Sequence, residues 1–200
     1  MVVFLLLLFV LAALALLGLQ RQRRLARARR REELPRPRTL FDLRLGDIVQ
    51  AEARDWAVEQ RLLYDQEGFQ WLEYLLRDGE DTRWLVVCED DFLEVSWLET
   101  IALDPAPGWP LPAAITWQGV RYALQEQGSA EVTASHRALN RQPGRCRFAD
   151  YGGPEGRLLG LEIWGQPPEA MELEATAGRR IEPHSLSLLP GDGRSIYRPD

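Results

Sequence analysis

Acidic residues within apolar, aromatic runs of the chain are the first candidates for chemistry. A carboxyl group among apolar neighbours has a raised pKa unless it is paired, and two such groups serve as acid and base in many hydrolases. A tyrosine directly follows two of these acids. The candidate catalytic residues are Glu73, Tyr74, Glu89, Asp150, Tyr151 and Glu162.

A structural role for the same acids is the alternative interpretation. Each carboxylate can accept hydrogen bonds from a neighbour such as Arg83 or Tyr74 and so fix the register of two strands. Buried acids in general have this structural role more often than a catalytic one. The sequence leaves both interpretations open.

Patterns typical of metal or cofactor binding are absent from the sequence. His136, His184, Cys88 and Cys146 are the residues that could form a zinc site, but they lack the paired spacings of such sites. The acidic segment 89–94 lacks the spaced carboxylates and the glycine of a calcium loop. Nucleophile elbows, phosphate-binding glycine loops and dinucleotide fingerprints are missing too. We therefore expect no bound metal and no cofactor.

Two of the candidate acids, Glu73 and Glu89, lie on a predicted β-hairpin. Its arms, residues 69–77 and 82–89, are rich in aromatic and β-branched residues, and the turn Asp78-Gly79-Glu80-Asp81 joins them. Both faces of the first arm carry apolar side chains, so other parts of the protein must cover both. This predicts a place in the middle of a barrel or sandwich.

Short apolar runs separated by turn residues continue along the chain after residue 39, and none keeps a helical period. The prediction is a mainly β protein with two similar antiparallel β-barrel or sandwich-like units packed together, preceded by one N-terminal transmembrane helix. Strands predicted in the second unit include 120–125, 130–135 and 170–175. The predicted divisions are a transmembrane anchor (1–20), a basic juxtamembrane linker (21–38), a first β unit (39–103), a proline-rich joint (104–113), a second β unit (114–190) and a polar tail (191–200).

The two predicted units share short motifs. The segment WLEY at 71–74 is matched by FADY at 148–151, with an aromatic residue, a spacer, an acid and a tyrosine in both. The segment LVVCE at 85–89 is matched by LLGLE at 158–162. Two copies of one β unit would explain a hairpin that is apolar on both faces without any ligand.

An apolar segment without charges spans residues 2–19, and as a helix it would be about 27 Å long, just enough to cross a bilayer. Basic flanks remain in the cytoplasm, so the arginines that follow predict a single-pass anchor in a bacterial inner membrane, with the N-terminus outside and the domain in the cytoplasm. The lipid bilayer is thus one expected partner. The expected membrane-surface residues are Arg21, Arg23, Arg24, Arg27, Arg29, Arg30 and Arg31.

The rest of the chain is acidic. The net charge is −6, and residues 34–200 carry 17 arginines against 28 acidic residues. Such a charge excludes nucleic acid as an expected partner. Trp109, in the proline-rich joint, is the tryptophan that we expect to be exposed enough to contact a partner protein.

A family resemblance rests on Gly46-Asp47, on Tyr64, on the segment WLEYLL at 71–76 and on Trp84-Leu85. These residues and their spacing resemble the bacterial domain-of-unknown-function family DUF4178, over roughly residues 45–190. The resemblance implies a β-rich domain that is tethered to a membrane in some members. It implies no substrate and no catalytic residue.

Three functional hypotheses follow from the sequence. The first is a non-enzymatic, membrane-tethered cytoplasmic β-domain that binds another protein as an accessory module of a membrane-associated system, with a membrane protein as partner. The alternative is a small-ligand binder or hydrolase-type enzyme with a pocket at the interface of the two β units. A third hypothesis is a lipid sensor that acts through the arginine flank.

Overall fold

A computed structural model describes residues 37–107, 110–134, 144–165, 172–195 and 197 of the chain. These residues form eleven β-strands and two short 3-10 turns, at Pro154–Gly156 and Pro183–Ser185. The prediction of a mainly β protein is therefore confirmed. The predicted anchor at 2–19 and the seven arginines of its flank lie outside the described residues. Within the described ranges, no helix is long and apolar enough to cross a membrane.

The strands fall into two groups of five and one additional strand. The first group is β1 (Ile48–Ala51), β2 (Arg54–Gln66), β3 (Phe69–Asp78), β4 (Asp81–Glu89) and β5 (Leu93–Ile101). The second group is β6 (Ala114–Trp117), β7 (Val120–Ala134), β8 (Gly144–Gly152), β9 (Arg157–Trp164) and β10 (Glu172–Ile181). The additional strand is β11 (Ser187–Leu189). The predicted hairpin is the pair β3–β4.

All these strands belong to one antiparallel sheet, in the order β11-β1-β2-β3-β4-β5-β10-β9-β8-β7-β6. β2 also pairs with β7, which closes eight strands, β2 to β5 and β7 to β10, into a ring. The sequence predicted two units packed against each other, and the structure differs. Strands at the edges of the two halves hydrogen bond directly, β5 to β10 and β2 to β7, which satisfies the backbone groups that two separate units would leave unpaired.

Both halves begin with a short hairpin of the same kind. The turn between β1 and β2 has positive φ at Glu52 (52°) and Ala53 (60°), and the turn between β6 and β7 has positive φ at Gln118 (48°) and Gly119 (75°). Two successive residues with positive φ form the tight turn whose twist suits an antiparallel hairpin. The long strand that follows, β2 or β7, contains a β-bulge near its start in both halves.

Strand register after the bulges shows which residues of the two halves are equivalent. Directly after the bulge, Gln60 of β2 pairs with Leu75, and Glu126 of β7 pairs with Asp150. Asp150 therefore corresponds to Leu75, and the sequence match that aligned it with Glu73 is wrong by two residues. A shift of two leaves a side chain on the same face of a strand, which is why the motifs WLEY and FADY look alike.

The second motif match is also wrong. Glu162 pairs with Phe148 of β8, as Val86 pairs with Glu73 of β3. Because Phe148 and Glu73 hold equivalent places, Glu162 corresponds to Val86. The sequence aligned it with Glu89, three residues away, and a shift by an odd number moves a side chain to the opposite face.

The interior of the ring holds a core that both halves share. Side chains such as Leu62 and Leu75 of the first half pack there with Val132 and Phe148 of the second. Each half also has an apolar cluster on its outer face. The buried residues of each cluster come from that half or from the segment before it. Strand β3 contributes to both the inner core and an outer cluster, so the prediction that both of its faces are covered is confirmed.

Segments before and between the halves cover the outer clusters. Residue Leu40 packs on the first half, where the Tyr74 hydroxyl donates a hydrogen bond to the Leu40 carbonyl oxygen at 2.8 Å. Leu111 packs on the second half, where the Tyr151 hydroxyl donates to the Pro112 carbonyl oxygen at 3.0 Å. The proline-rich joint is thus a cover for one face of the sheet. Trp109, its predicted partner contact, lies outside the described residues.

A buried carboxylate, Asp47, joins the beginning and the end of the domain. It is fully buried and forms an ion pair with Arg38 at 2.6 Å. It also accepts hydrogen bonds from the backbone N–H groups of Arg44 at 2.8 Å and Gly191 at 2.7 Å. Its neighbour Gly46 has φ of 76°, and the backbone of Arg194 occupies the space of a side chain there. The motif Gly46-Asp47 therefore has a structural role.

Two strands of the second half are longer than the sequence predicted. The predicted strands 120–125 and 130–135 are parts of one strand, β7. Gly128 lies between them, and its lack of a side chain lets the Phe148 ring come within 2.9 Å of the ideal Cβ position of Gly128. β10 continues to Ile181, well beyond the predicted 170–175, because Gly178 lets the strand approach the backbone of β5.

Candidate functional site

A cavity of about 270 Å³ lies inside the ring, and we call it the central cavity. Its walls come from all eight strands of the ring, so both halves contribute. The acidic residues that line it are Glu73, Glu94, Glu126, Asp150 and Glu162, and the larger aromatic ones are Phe69, Trp71, Trp84 and Phe148. Val86, Cys88, Ser96, Gly160, Thr176 and Arg180 are among its other lining residues.

Three of the predicted acids, Glu73, Asp150 and Glu162, line this cavity together. The sequence could indicate them because each is an acid in an apolar strand. Asp150 and Glu162 lie on the adjacent strands β8 and β9, whereas Glu73 lies on β3, far from them in sequence, and ring closure brings it to the same cavity. Tyr151 also borders the cavity, although its hydroxyl is directed to the outer cover segment.

The other two candidates do not line the central cavity. Tyr74 is fully buried in the outer cluster of the first half, and this burial raises the pKa of its hydroxyl. Glu89 is exposed at the end of β4. Neither side chain belongs to the group formed by the acids of the cavity.

Hydrogen bonds from aromatic side chains hold two of the cavity acids. Glu162 accepts one from the Tyr64 hydroxyl at 2.9 Å and one from the Trp164 indole N–H at 3.2 Å. Glu73 is nearly buried and accepts one from the Trp71 indole N–H at 3.3 Å. The structural role considered for these acids is therefore satisfied here, by other donors than the sequence suggested.

Asp150 is different, because it has no hydrogen-bond or ion-pair partner among the described residues. Its side chain is open to solvent through the cavity, yet protein atoms surround it on most sides. Burial, together with the negative charges of Glu73 and Glu126, raises the pKa of Asp150 to about 7. Among the described residues, no basic side chain forms an ion pair with this carboxyl group that would lower its pKa.

The open space beside Asp150 results from a difference between the two halves. In the first half Leu75 pairs with Trp84, and both are buried large apolar residues. At the equivalent pair in the second half, Asp150 faces Gly160. An ideal Cβ on Gly160 would lie 3.0 Å from Thr176 Oγ1 and 3.7 Å from Asp150 Oδ1, so even a small side chain there would reach the carboxyl group. One half is thus filled where the other is open.

Comparison with known proteins decides the family. Residues 44–183 match the family described as "Domain of unknown function (DUF4178)". The chain belongs to this family. The resemblance seen in the sequence is thereby confirmed. The match covers strands β1 to β10 of this DUF4178 protein and ends before β11.

Relatives of this DUF4178 protein occur in distant bacteria. An uncharacterized protein of Aquifex aeolicus is 26% identical over 155 residues, which cover 74% of this chain and 83% of that protein. An uncharacterized protein of Mycobacterium tuberculosis is 29% identical over 152 residues, which cover 72% of this chain and 70% of that protein. No solved structure matches the chain significantly.

Sequence reasoning missed two residues of this DUF4178 site, Glu126 and Gly160. Glu126 lies in the polar segment Glu126-Gln127-Gly128-Ser129, which resembles a turn between strands. Gly160 lies inside an apolar run and has no functional group that would indicate a site. Strand register after the bulge, which pairs Glu126 with Asp150, was the signal that could have found the first of them.

Of the residues considered for a metal site in this DUF4178 domain, the structure describes Cys88, Cys146 and His184. Among the described residues, no group of three or more His, Cys, Asp and Glu side chains could hold a metal ion. Cys88 and Cys146 form no disulfide bond in the described part of the chain, and burial together with nearby Glu94 and Asp90 raises the pKa of Cys88. His184 is exposed beside Glu182, and His136 lies outside the described residues.

Proposed function

We propose that this DUF4178 protein is a binding module whose central cavity takes a small organic cation. One observation carries the proposal: Asp150 faces the cavity without a partner among the described residues, beside two further carboxylates, Glu73 and Glu126. Three carboxylates that border one cavity favour a ligand with a positive charge, because a nearby opposite charge stabilises the ionised form of a carboxyl group. Arg180 lines the cavity too, but it forms an ion pair with Glu94 at 3.1 Å.

Aromatic side chains of the cavity support the same ligand chemistry. Trp71 packs edge to face with Phe148, with ring centroids 5.3 Å apart, and both line the cavity. An organic cation near an aromatic face gains about 0.5–2 kcal/mol. The cavity, at about 270 Å³, is slightly smaller than the range of about 300–1,000 Å³ that is usual for drug-sized ligands, so a ligand of metabolite size fits it.

Hydrolysis is the second candidate function, and one observation favours it. Asp150 has a pKa of about 7 and lies near Glu73, which is the arrangement of a general acid beside a carboxylate base. Binding is the better-supported function, because the Glu73 carboxylate already accepts the Trp71 hydrogen bond. A ligand that is released chemically unchanged supports binding, and a ligand that is converted to product supports the enzyme.

The binding test uses the full-length protein in a non-ionic detergent with tryptamine, spermidine and agmatine as probes. We expect a cation at about 100 times its Kd to stabilise the fold by about 2.7 kcal/mol. For a chain of this size this is a rise in Tm of about 5–10 °C. Asp150→Asn should abolish the rise. The control Glu89→Gln, which removes the same charge outside the cavity, should keep it. The proposal fails if no cation stabilises the wild type, or if Asp150→Asn responds as the wild type does.

We further propose that the module is tethered to the inner face of a bacterial inner membrane through residues 2–19, with the N-terminus outside. The sequence supports this by the uncharged apolar segment and the seven arginines after it. Such a tether would concentrate the module near a membrane protein that it serves. Alkaline carbonate should leave the full-length protein in the membrane, and external protease on spheroplasts should spare the domain. Extraction or cleavage would contradict the tether and leave the cavity proposal intact.

A further inference from the structure

We propose that the ligand of the central cavity is a ring-bearing amine whose flat ring lies over Gly160, in the place that the indole of Trp84 fills in the first half. This inference rests on the proposed cation binding and specifies the shape of the cation. It also makes Gly160 the residue that determines ligand specificity.

The argument begins with the equivalence of two residue pairs. Leu75 faces Trp84 across β3 and β4, and Asp150 faces Gly160 across β8 and β9. The indole of Trp84 is almost fully buried inside the ring, and its N–H donates a hydrogen bond to Thr100 Oγ1 at 3.2 Å. The ring geometry of the first half therefore accommodates an indole at this position together with a hydroxyl partner.

In the second half the same position is open to the cavity. Gly160 lines the central cavity and has no side chain of its own in the place that corresponds to the indole. The Thr176 hydroxyl, at the place that corresponds to Leu98, lies 3.0 Å from an ideal Cβ position on Gly160, so it borders the space over Gly160 and offers a polar contact to a ring there. Because the two halves repeat the same strands, a flat ring fits the space over Gly160 as Trp84 fits the space between its own strands.

The positive charge of the ligand then lies beside Asp150. The carboxyl oxygen of Asp150 is 3.7 Å from the ideal Cβ position on Gly160, so a ring over Gly160 brings a substituent within reach of this oxygen. Glu126 faces the same side of the cavity and, like Asp150, has no partner among the residues that the structure describes. A flat ring that bears an ammonium group satisfies the space and the charge together.

The experiment compares tryptamine with hexylamine, an acyclic amine of the same charge, by isothermal titration calorimetry on the full-length protein. The wild type should bind tryptamine at least about tenfold more tightly than hexylamine, since filling an apolar pocket discriminates by about 10–200-fold. Gly160→Leu fills the space over the strand, so it should weaken tryptamine binding by about tenfold or more and remove the preference over hexylamine. Ala123→Leu enlarges an exposed side chain on β7 and should leave both affinities unchanged.

Gly160→Ala provides a second variant if the leucine disturbs the fold, which near-ultraviolet circular dichroism would reveal. Its methyl group should weaken tryptamine binding measurably and hexylamine binding less. The inference is overturned if hexylamine binds as tightly as tryptamine, or if a folded Gly160 variant keeps the wild-type preference, and in both cases cation binding itself still stands. If no amine binds the wild type, the proposed function fails and this inference fails with it.

Discussion

Removal of the Asp150 charge should stabilise the protein at high pH. The pKa of Asp150 is raised from 3.8 to about 7 in the folded protein, mainly by burial and then by Glu73 and Glu126. Between these two values the folded protein retains a proton that the unfolded chain has released, so the wild type loses stability as the pH rises from about 4 to 7. Asparagine has nearly the same shape and does not ionise, so the Asp150→Asn variant is spared this loss.

The size of the effect follows from the same pKa. The difference between 3.8 and about 7 sets a ceiling of about 4 kcal/mol on the stability that the wild type loses. Because the carboxyl group is open to solvent through the cavity, screening by water reduces this, and we expect about 1–2 kcal/mol. The advantage of Asp150→Asn over the wild type should therefore reach about 1–2 kcal/mol at pH 8 and shrink as the pH falls toward 5.

Urea denaturation of the full-length protein in non-ionic detergent, at a series of pH values between 5 and 8, measures this difference. Glu89→Gln is the matched control, because it removes a carboxylate from the exposed end of β4, and its effect should stay within about 0.5 kcal/mol at every pH. If Asp150→Asn is instead less stable than the wild type at pH 8, the Asp150 carboxylate has a favourable partner. That result would refute the argument that a ligand supplies its counter-charge.

Three further predictions concern binding and the structural anchors. If the ionised Asp150 carboxyl group binds the cation, as proposed, its pKa of about 7 should make the apparent Kd of tryptamine roughly tenfold weaker at pH 6 than at pH 8. A flat pH profile in calorimetry would exclude Asp150 as the contact. Tyr74→Phe removes the hydrogen bond to the buried Leu40 carbonyl and should cost about 1–2 kcal/mol in urea denaturation, with unchanged tryptamine affinity; a loss of affinity would place Tyr74 in the site. Asp47→Ala leaves Arg38 without its buried partner and should cost about 3–5 kcal/mol, and a cost below about 1 kcal/mol would contradict the role given to this ion pair.

The hydrophobic pattern of the sequence predicts most of the strands because most of them have at least one apolar face. The predicted bounds of the β3–β4 hairpin differ from the structure by one residue at the turn end of each strand. The sequence pattern did not predict the middle of β7 as a strand, and the reason is physical. Glu126 and its polar neighbours lie on a strand whose inner side borders the cavity, and a cavity-lining strand has the polar, glycine-containing composition of a turn.

The site was predictable only in part, and the reason is again physical. An acid in an apolar strand is visible in the sequence, so Glu73, Asp150 and Glu162 could be named. Which of them has a partner depends on donors from distant strands, such as Tyr64, 98 residues away from Glu162. Sequence reasoning therefore could not separate the two acids that are held by indole and phenol donors from Asp150, which is not.

The distribution of polar residues between the two halves supports a division of roles within the ring. The interior of the first half is filled by Leu75, Trp84 and Leu98, and burial of such side chains contributes about 1.5–3 kcal/mol each. Their counterparts in the second half are Asp150, Gly160 and Thr176, which contribute little to the core. If the fold required stability alone, large apolar side chains at these three positions of the second half would increase it. The polar residues at these three positions of the second half support the proposed binding site, because the filled positions of the first half stabilise the ring while those of the second leave space and charge for a ligand.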